Sequence, residues 1–203
     1  MGLNAEKMSS GKYQKIIQAA TKVFAEKGFY HSKVSDVAKE AQVADGTIYL
    51  YFKNKDDLLI SIFEESMDIF IEAVLKSMEE IKDPVDQLKR FITLHLELVR
   101  KNQDTAQVLQ IELRQSARFM KEYAGTKFRE YLRIISQILE EGKKTGVFRE
   151  SLNPLIVKRA LFGAIDEMAL EWILMKRKKL IHLEMLVLVI PDTPQQGWMM
   201  SNH

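Results

Sequence analysis

The scarcity of residues that interrupt a helix constrains this chain more than any other feature of its sequence. Nine glycines and four prolines among 203 residues leave long stretches without a breaker, and a helix interior tolerates neither residue well. Between Lys12 and Lys27, Ile16, Ile17, Ala20, Val23 and Phe24 recur at helical spacing, with Gly28 placed as a C-cap. No segment shows the alternation of a strand. The predicted fold is all-α, with nine helices: three closely spaced at the front and six behind.

Local signals set the expected boundaries. A short helix is predicted from Ser35 to Ala41, and another begins in GTIYLYF with Asp45 as its N-cap. Asn54 is placed to cap a long helix from Lys55 to Ile81, with Asp56 and Asp57 in its first turn. Pro84 opens the next, to about Lys101. Further helices are expected at Thr105–Ser116, at Met120–Thr145 ending in a turn flanked by Gly142 and Gly146, at Asn153–Met175 and at Leu180–Ile190. The expected organisation is an arm (1–10), a front unit (11–54), a helical body (55–190) and a loose tail (191–203).

Several functions fall away on composition. Without cysteine there is no disulfide, thiolate metal site or thiol nucleophile. The four histidines lack an H-x-x-x-H spacing, G-x-S-x-G is absent, and EGKKTG (141–146) lacks the earlier glycine and strand of a phosphate loop. An enzyme is not expected, nor a metal site or cofactor. No apolar run approaches the ~18 residues of a membrane span, and no N-terminal apolar signal stands out, so a cytoplasmic protein is expected. Residues 1–55 carry nine lysines against five acids, net +4, leaving −2 on the rest of a chain whose net charge is +2. A basic head on a slightly acidic body fits a polyanionic partner.

Two short helices joined by a tight turn and propped by a longer one make a helix-turn-helix unit. On a helical wheel of residues 46–53, Ile48 and Phe52 share the inward side, while Gly46, Thr47, Leu50 and Lys53 face outward and Tyr49 and Tyr51 take the flanks. Gly46 permits close approach of the backbone to a groove, and Thr47 brings a hydroxyl and a methyl to base edges. Tyr49 and Tyr51 have the length to reach phosphates, and Lys53 and Lys55 add charge.

The stretch VSDVAKEAQVADGTIYLYFKNKDDLL resembles the DNA-binding domain of the TetR family of bacterial repressors, over residues 12–60. The resemblance implies that Thr47, Tyr49 and Tyr51 meet the duplex, that Lys55 holds a phosphate at a helix N-terminus, and that Lys33 and Ser35 hold the neighbouring backbone. The family usually has glycine where this chain has Gln42; if that position needs positive φ, glutamine there costs about 1 kcal/mol.

The body offers an apolar surface for self-association in Ala160, Leu161, Ala164, Met168, Leu186 and Val189, with Gly163 allowing close approach. A homodimer packed through the last two helices is expected. GTIYLYFKNKDDLLIS, QIELRQS (110–116) and LFGAIDE (161–167) together resemble the FadR-type branch of the family, up to about Lys178. That branch implies a repressor of fatty-acid degradation responding to long-chain acyl-CoA. Such a site needs an apolar tunnel, for which Phe91, Leu94, Leu98, Leu109, Leu113, Phe162 and Ile165 are candidates, and cations for phosphates, for which Arg114, Arg118 and Arg133 are candidates. His95 reads as a core or interhelix residue. The expected lever between body and head is the fourth helix, through Leu59, Ile62, Phe63 and Phe70. Two alternatives remain: a hydrophobic drug-like cation as effector, for which Glu112, Asp166 and Glu167 are the acidic candidates, and a helical interaction protein with no affinity for DNA.

Overall fold

The computed structural model describes residues 11–113 and 126–175. Within them the chain folds into eight helices: α1 (Gly11–Lys27), α2 (Val34–Ala41), α3 (Asp45–Tyr49), α4 (Lys55–Met78), α5 (Pro84–Lys101), α6 (Gln103–Gln107, running on as a π-helical turn Val108–Glu112), α7 (Lys127–Lys144) and α8 (Pro154–Met175). The predicted helix Leu180–Ile190 lies outside the described residues, as do Arg114, Arg118, Leu186 and Val189.

Capping accounts for most boundaries. The Asn54 side chain accepts from the Asp57 amide at 2.9 Å, and the Asp57 carboxylate reaches back to the Lys53 amide at 2.8 Å. Asp83 accepts from the Val85 and Asp86 amides ahead of Pro84 in the first turn of α5. Gly28, at φ 79°, closes α1 with its amide on the Phe24 carbonyl.

Other boundaries differ from expectation. Ala44, not Asp45, is the N-cap of α3, and α4 stops at Met78 rather than Ile81. Helix α3 is only five residues long. The Leu50 and Tyr51 amides bond to carbonyls three residues back, Thr47 and Ile48, a tightening that turns the chain and inserts Phe52 beside Tyr13, ring centroids 5.2 Å apart. Helix α6 starts at Gln103 and loosens into the π-helical turn, where the Leu113 amide reaches the Val108 carbonyl.

Gln42, the C-cap of α2, adopts φ 55°, ψ 46°, the only non-glycine residue with positive φ among those described. This is the turn where the sequence departs from the glycine usual in the family it resembles. Gln42→Gly is expected to raise stability by about 1 kcal/mol, or ~2–4 °C in a thermal melt; an unchanged or lower Tm would show that the exposed Lys15–Gln42 side-chain bond at 3.3 Å outweighs the strain.

Two apolar clusters fill the interior. The first joins α1–α3, the start of α4, and Val108 and Leu113 from the α6 segment. The second gathers Phe70 and Val74 of α4 with Phe91, Tyr131, Ile135, Phe148, Leu161 and Ile165. Met67 and Phe128 pack against both. Helix α4 therefore runs through both: Leu59, Ile62 and Phe63 belong to the first and Phe70 to the second. No helix among the described residues is long and apolar enough to cross a membrane.

Candidate nucleic-acid interface and effector core

The outward side of the helix-turn-helix is built on two anchors. Ile48 and Phe52 are buried in the first cluster, which fixes the rotation of α3 and presents its other side to solvent. Tyr49 and Leu50 are 57% and 67% exposed. Gly46 is exposed with nothing within 4 Å of where a Cβ would stand. Thr47 and Tyr51 are half-buried, and the Tyr51 ring lies 6.2 Å from that of Tyr13. Tyr49 is thus the most outward of the three hydroxyl-bearing side chains, while Tyr51 also leans on the core.

Charge is distributed unevenly over the same unit. Lys22 pairs with Glu40 at 2.6 Å and Lys27 with Asp36 at 2.8 Å. The bond from Lys27, with another from the Lys33 amide at 2.8 Å, holds the Asp36 carboxyl below its ordinary range. That carboxylate also fixes the first turn of α2, where Lys33 is the N-cap and Ser35 is exposed. Lys33 and Lys53 are exposed.

Lys55 is placed differently from what the sequence implied. Its ammonium donates to the Phe29 carbonyl at 2.7 Å, Ser32 at 2.9 Å and Tyr30 at 3.4 Å, and sits 4.5 Å from the centre of the Phe29 ring. All three donors of the ammonium point into the loop between α1 and α2. On the other side of that loop, buried Glu112 accepts from the Phe29 amide at 2.7 Å. A cation on its carbonyls and an anion on its amide hold loop 28–32. Lys55→Met is expected to lower stability by roughly 1.5–3 kcal/mol while leaving the salt dependence of DNA binding unchanged. A phosphate contact would instead reduce the salt slope by about 1 with no change in the melt.

The candidate effector residues do not form one group. Phe91, Leu94, Leu98, Phe162 and Ile165 belong to or border the second cluster, whereas Leu109 and Leu113 pack against the first. Arg133 is exposed on α7. A group of aromatic rings sits within the mainly aliphatic second cluster: Phe70, Phe91 and Tyr131 lie 5.1–5.6 Å apart, and Phe128 meets Phe162 at 4.7 Å. His95 is built into this group, its ring 5.1 Å from Phe70 and its Nδ1 3.3 Å from the Tyr131 hydroxyl. Burial drives its pKa down to about 4, against a smaller opposing effect of Asp166. Burial likewise pushes the Tyr131 hydroxyl up, helped by Asp166. Sequence spacing gave no sign of the His95–Tyr131 pair, because its members come from α5 and α7. Of the acidic candidates for a cationic effector, Glu112 is engaged at the loop, Asp166 is half-buried and Glu167 is exposed.

On α8, Ile156, Ala160, Gly163, Glu167 and Leu174 are exposed at helical spacing, with Ala164 and Met168 half-buried beside them. Among the described residues no group of three His, Asp or Glu is placed to hold a metal ion.

Both parts of the chain have known relatives. Residues 16–62 match the family described as bacterial regulatory proteins, tetR family, and residues 63–189 match the YsiA-like protein, C-terminal region. The second match runs past Lys178, where the motif resemblance stopped. The chain is 41% identical over 172 residues to the fatty acid metabolism regulator protein of Bacillus subtilis (strain 168), covering 85% of this chain and 89% of that protein. The fatty acid degradation regulator FadR from Bacillus halodurans superposes with a TM-score of 0.83 at 37% identity, over 88% of this chain and 93% of that one. The transcriptional regulator FadR from Bacillus subtilis in complex with stearoyl-CoA gives 0.81 at 40% identity, over 87% and 96%.

Proposed function

This chain belongs to the tetR family of bacterial regulatory proteins, and from that premise we propose a dimeric repressor of fatty-acid degradation genes, released from its operator by long-chain acyl-CoA. The observation that carries the reading is likeness to the stearoyl-CoA-bound regulator over 87% of this chain, through head and body alike. The chemistry of the site agrees with it: a solvent-facing recognition surface over two buried anchors, and an aromatic, apolar body joined to it by a helix common to both clusters.

In this reading residues 11–54 form the DNA-binding head and 55–190 the effector and dimer body. Thr47 and Tyr49 meet base edges and phosphates, with Gly46 allowing close approach and Leu50 and Tyr51 flanking them. Lys33, Ser35 and Lys53 hold the backbone on either side. Lys55 acts by fixing the loop between α1 and α2. The stripe Ile156–Ala160–Gly163 on α8, with Ala164 and Met168, forms the described part of the dimer face. Two-fold symmetry then presents two α3 helices to half-sites about 34 Å apart.

Release is a shift of population. Acyl-CoA favours a body whose α4 carries the heads away from that spacing, and a hundredfold loss of operator affinity needs only ~2.7 kcal/mol of differential binding. The test is a gel shift on the promoter of a fatty-acid degradation gene, titrated with palmitoyl-CoA and, in parallel, with free CoA. Release by palmitoyl-CoA alone is expected. Full retardation at saturating palmitoyl-CoA overturns the effector, and no retardation even at low salt overturns the repressor.

A further inference from the structure

We propose that His95 is the polar recognition point of the effector site, its Nε2–H donating a hydrogen bond to the carbonyl oxygen of a bound acyl thioester. This rests on the acyl-CoA reading above and names the group within the body that reads the thioester.

The Tyr131 hydroxyl lies 3.3 Å from His95 Nδ1. A buried phenol keeps its proton and needs an acceptor for it, and Nδ1 supplies one. An imidazole that accepts at Nδ1 while neutral carries its own proton on Nε2. That Nε2 is buried and has no hydrogen-bond partner among the described residues. Leaving a buried donor unmatched costs about 1–3 kcal/mol, and such orphans are rare in folded proteins. Among the described residues the ring is bordered by Phe70 and Tyr131, which cannot accept at that nitrogen as strong acceptors do.

The electrostatics narrow the class of acceptor. Burial keeps the imidazole neutral at ordinary pH, and Asp166 is the charge that acts on both His95 and Tyr131. A neutral donor in apolar surroundings near a carboxylate cannot offset the desolvation of an anion. A free fatty-acid carboxylate is therefore a poor guest at this point. The carbonyl oxygen of a thioester is a neutral acceptor attached to an apolar chain, and both parts suit the cluster of Phe70, Phe91 and Tyr131.

The experiment compares palmitoyl-CoA with S-hexadecyl-CoA, the thioether that lacks only the carbonyl oxygen, by calorimetric titration of the full-length protein. Wild type is expected to favour the thioester about tenfold, the effect of one buried hydrogen bond. The variant pair His95→Phe with Tyr131→Phe removes both polar partners and keeps two aromatic rings, so the fold is retained and thermal melting checks it. That variant is expected to bind both ligands alike, with thioether affinity within about twofold of wild type. Equal binding of the two ligands by wild type, or a preference that survives in the variant, overturns the inference and leaves the acyl-CoA reading standing. Failure of wild type to bind either ligand overturns the acyl-CoA reading itself. Independently of any variant, the ¹⁵N shift of His95 Nε2 in wild type is expected to move with palmitoyl-CoA and not with the thioether; identical spectra overturn the assignment.

Discussion

Gly142→Ala is expected to destabilise the body by about 3 kcal/mol, lowering the Tm by roughly 10 °C. Helix propensity alone argues the reverse, since alanine is better than glycine in a helix interior by about 1 kcal/mol. The packing reverses the sign. A Cβ at position 142 would fall 2.1 Å from Cδ2 and 2.3 Å from Cε2 of the Phe148 ring. Gly142 is buried within α7, and the chain folds back so that the Phe148 amide bonds to the Gly142 carbonyl at 2.9 Å. The ring is 1% exposed and has nowhere to move without displacing the second cluster. Phe148→Ala alone is expected to cost about 3–5 kcal/mol. Combined with Gly142→Ala the loss should be smaller than the sum by at least ~1 kcal/mol, because the smaller side chain makes room for the new methyl. Thermal melts of the three proteins check this, and strict additivity would show that the two positions do not share the space.

Glu112→Leu is the second large effect expected, about 2–3 kcal/mol of stability together with weakened operator binding. The Glu112 carboxylate is buried at the end of the π-helical turn, with its Oε2 2.7 Å from the Phe29 amide. Replacement by leucine keeps similar bulk and leaves that amide without its acceptor. Loop 28–32 then loses one of its two clamps, and the loop leads directly into α2. Glu112→Gln retains a carbonyl acceptor and should cost under about 1 kcal/mol, which separates the hydrogen bond from simple packing. Denaturant melts and operator binding with and without palmitoyl-CoA provide the readout. Operator affinity in Glu112→Leu equal to wild type would show that this contact does not transmit between body and head.

These two residues also mark where reading the sequence stops. In the sequence Gly142 belongs to a glycine-flanked turn, and only the returning chain shows that it is a notch for a ring six residues on. Glu112 reads in the sequence as an acidic candidate for a cationic effector, because nothing near it records that Phe29 lies opposite. By contrast, Ile48 and Phe52 were legible as anchors from their four-residue spacing, and although α3 ends at Tyr49 the Phe52 amide still bonds to the Ile48 carbonyl at 3.0 Å. Lys55 illustrates the border between the two cases. Its position at the first turn of α4 follows from the Asn54 cap, yet the direction of its ammonium is set by carbonyls more than twenty residues away. The effector candidates divided for the same reason, since periodicity identifies a buried face but not which of two clusters receives it.

By itself the sequence determined what acts within a turn or two: helix starts at Asn54 and Pro84, the inward side of α3, and the motifs that place the chain in its family. Tertiary structure alone decided the early end of α3, the loosening of α6 at Val108–Glu112, the meeting of His95 with Tyr131, and the clamp on loop 28–32. Caps and amphipathic faces are satisfied by neighbours along the chain, so they are written locally. A buried carboxylate, an ammonium or an imidazole takes its partner from whatever element the fold brings within about 3 Å, and no local pattern records that choice.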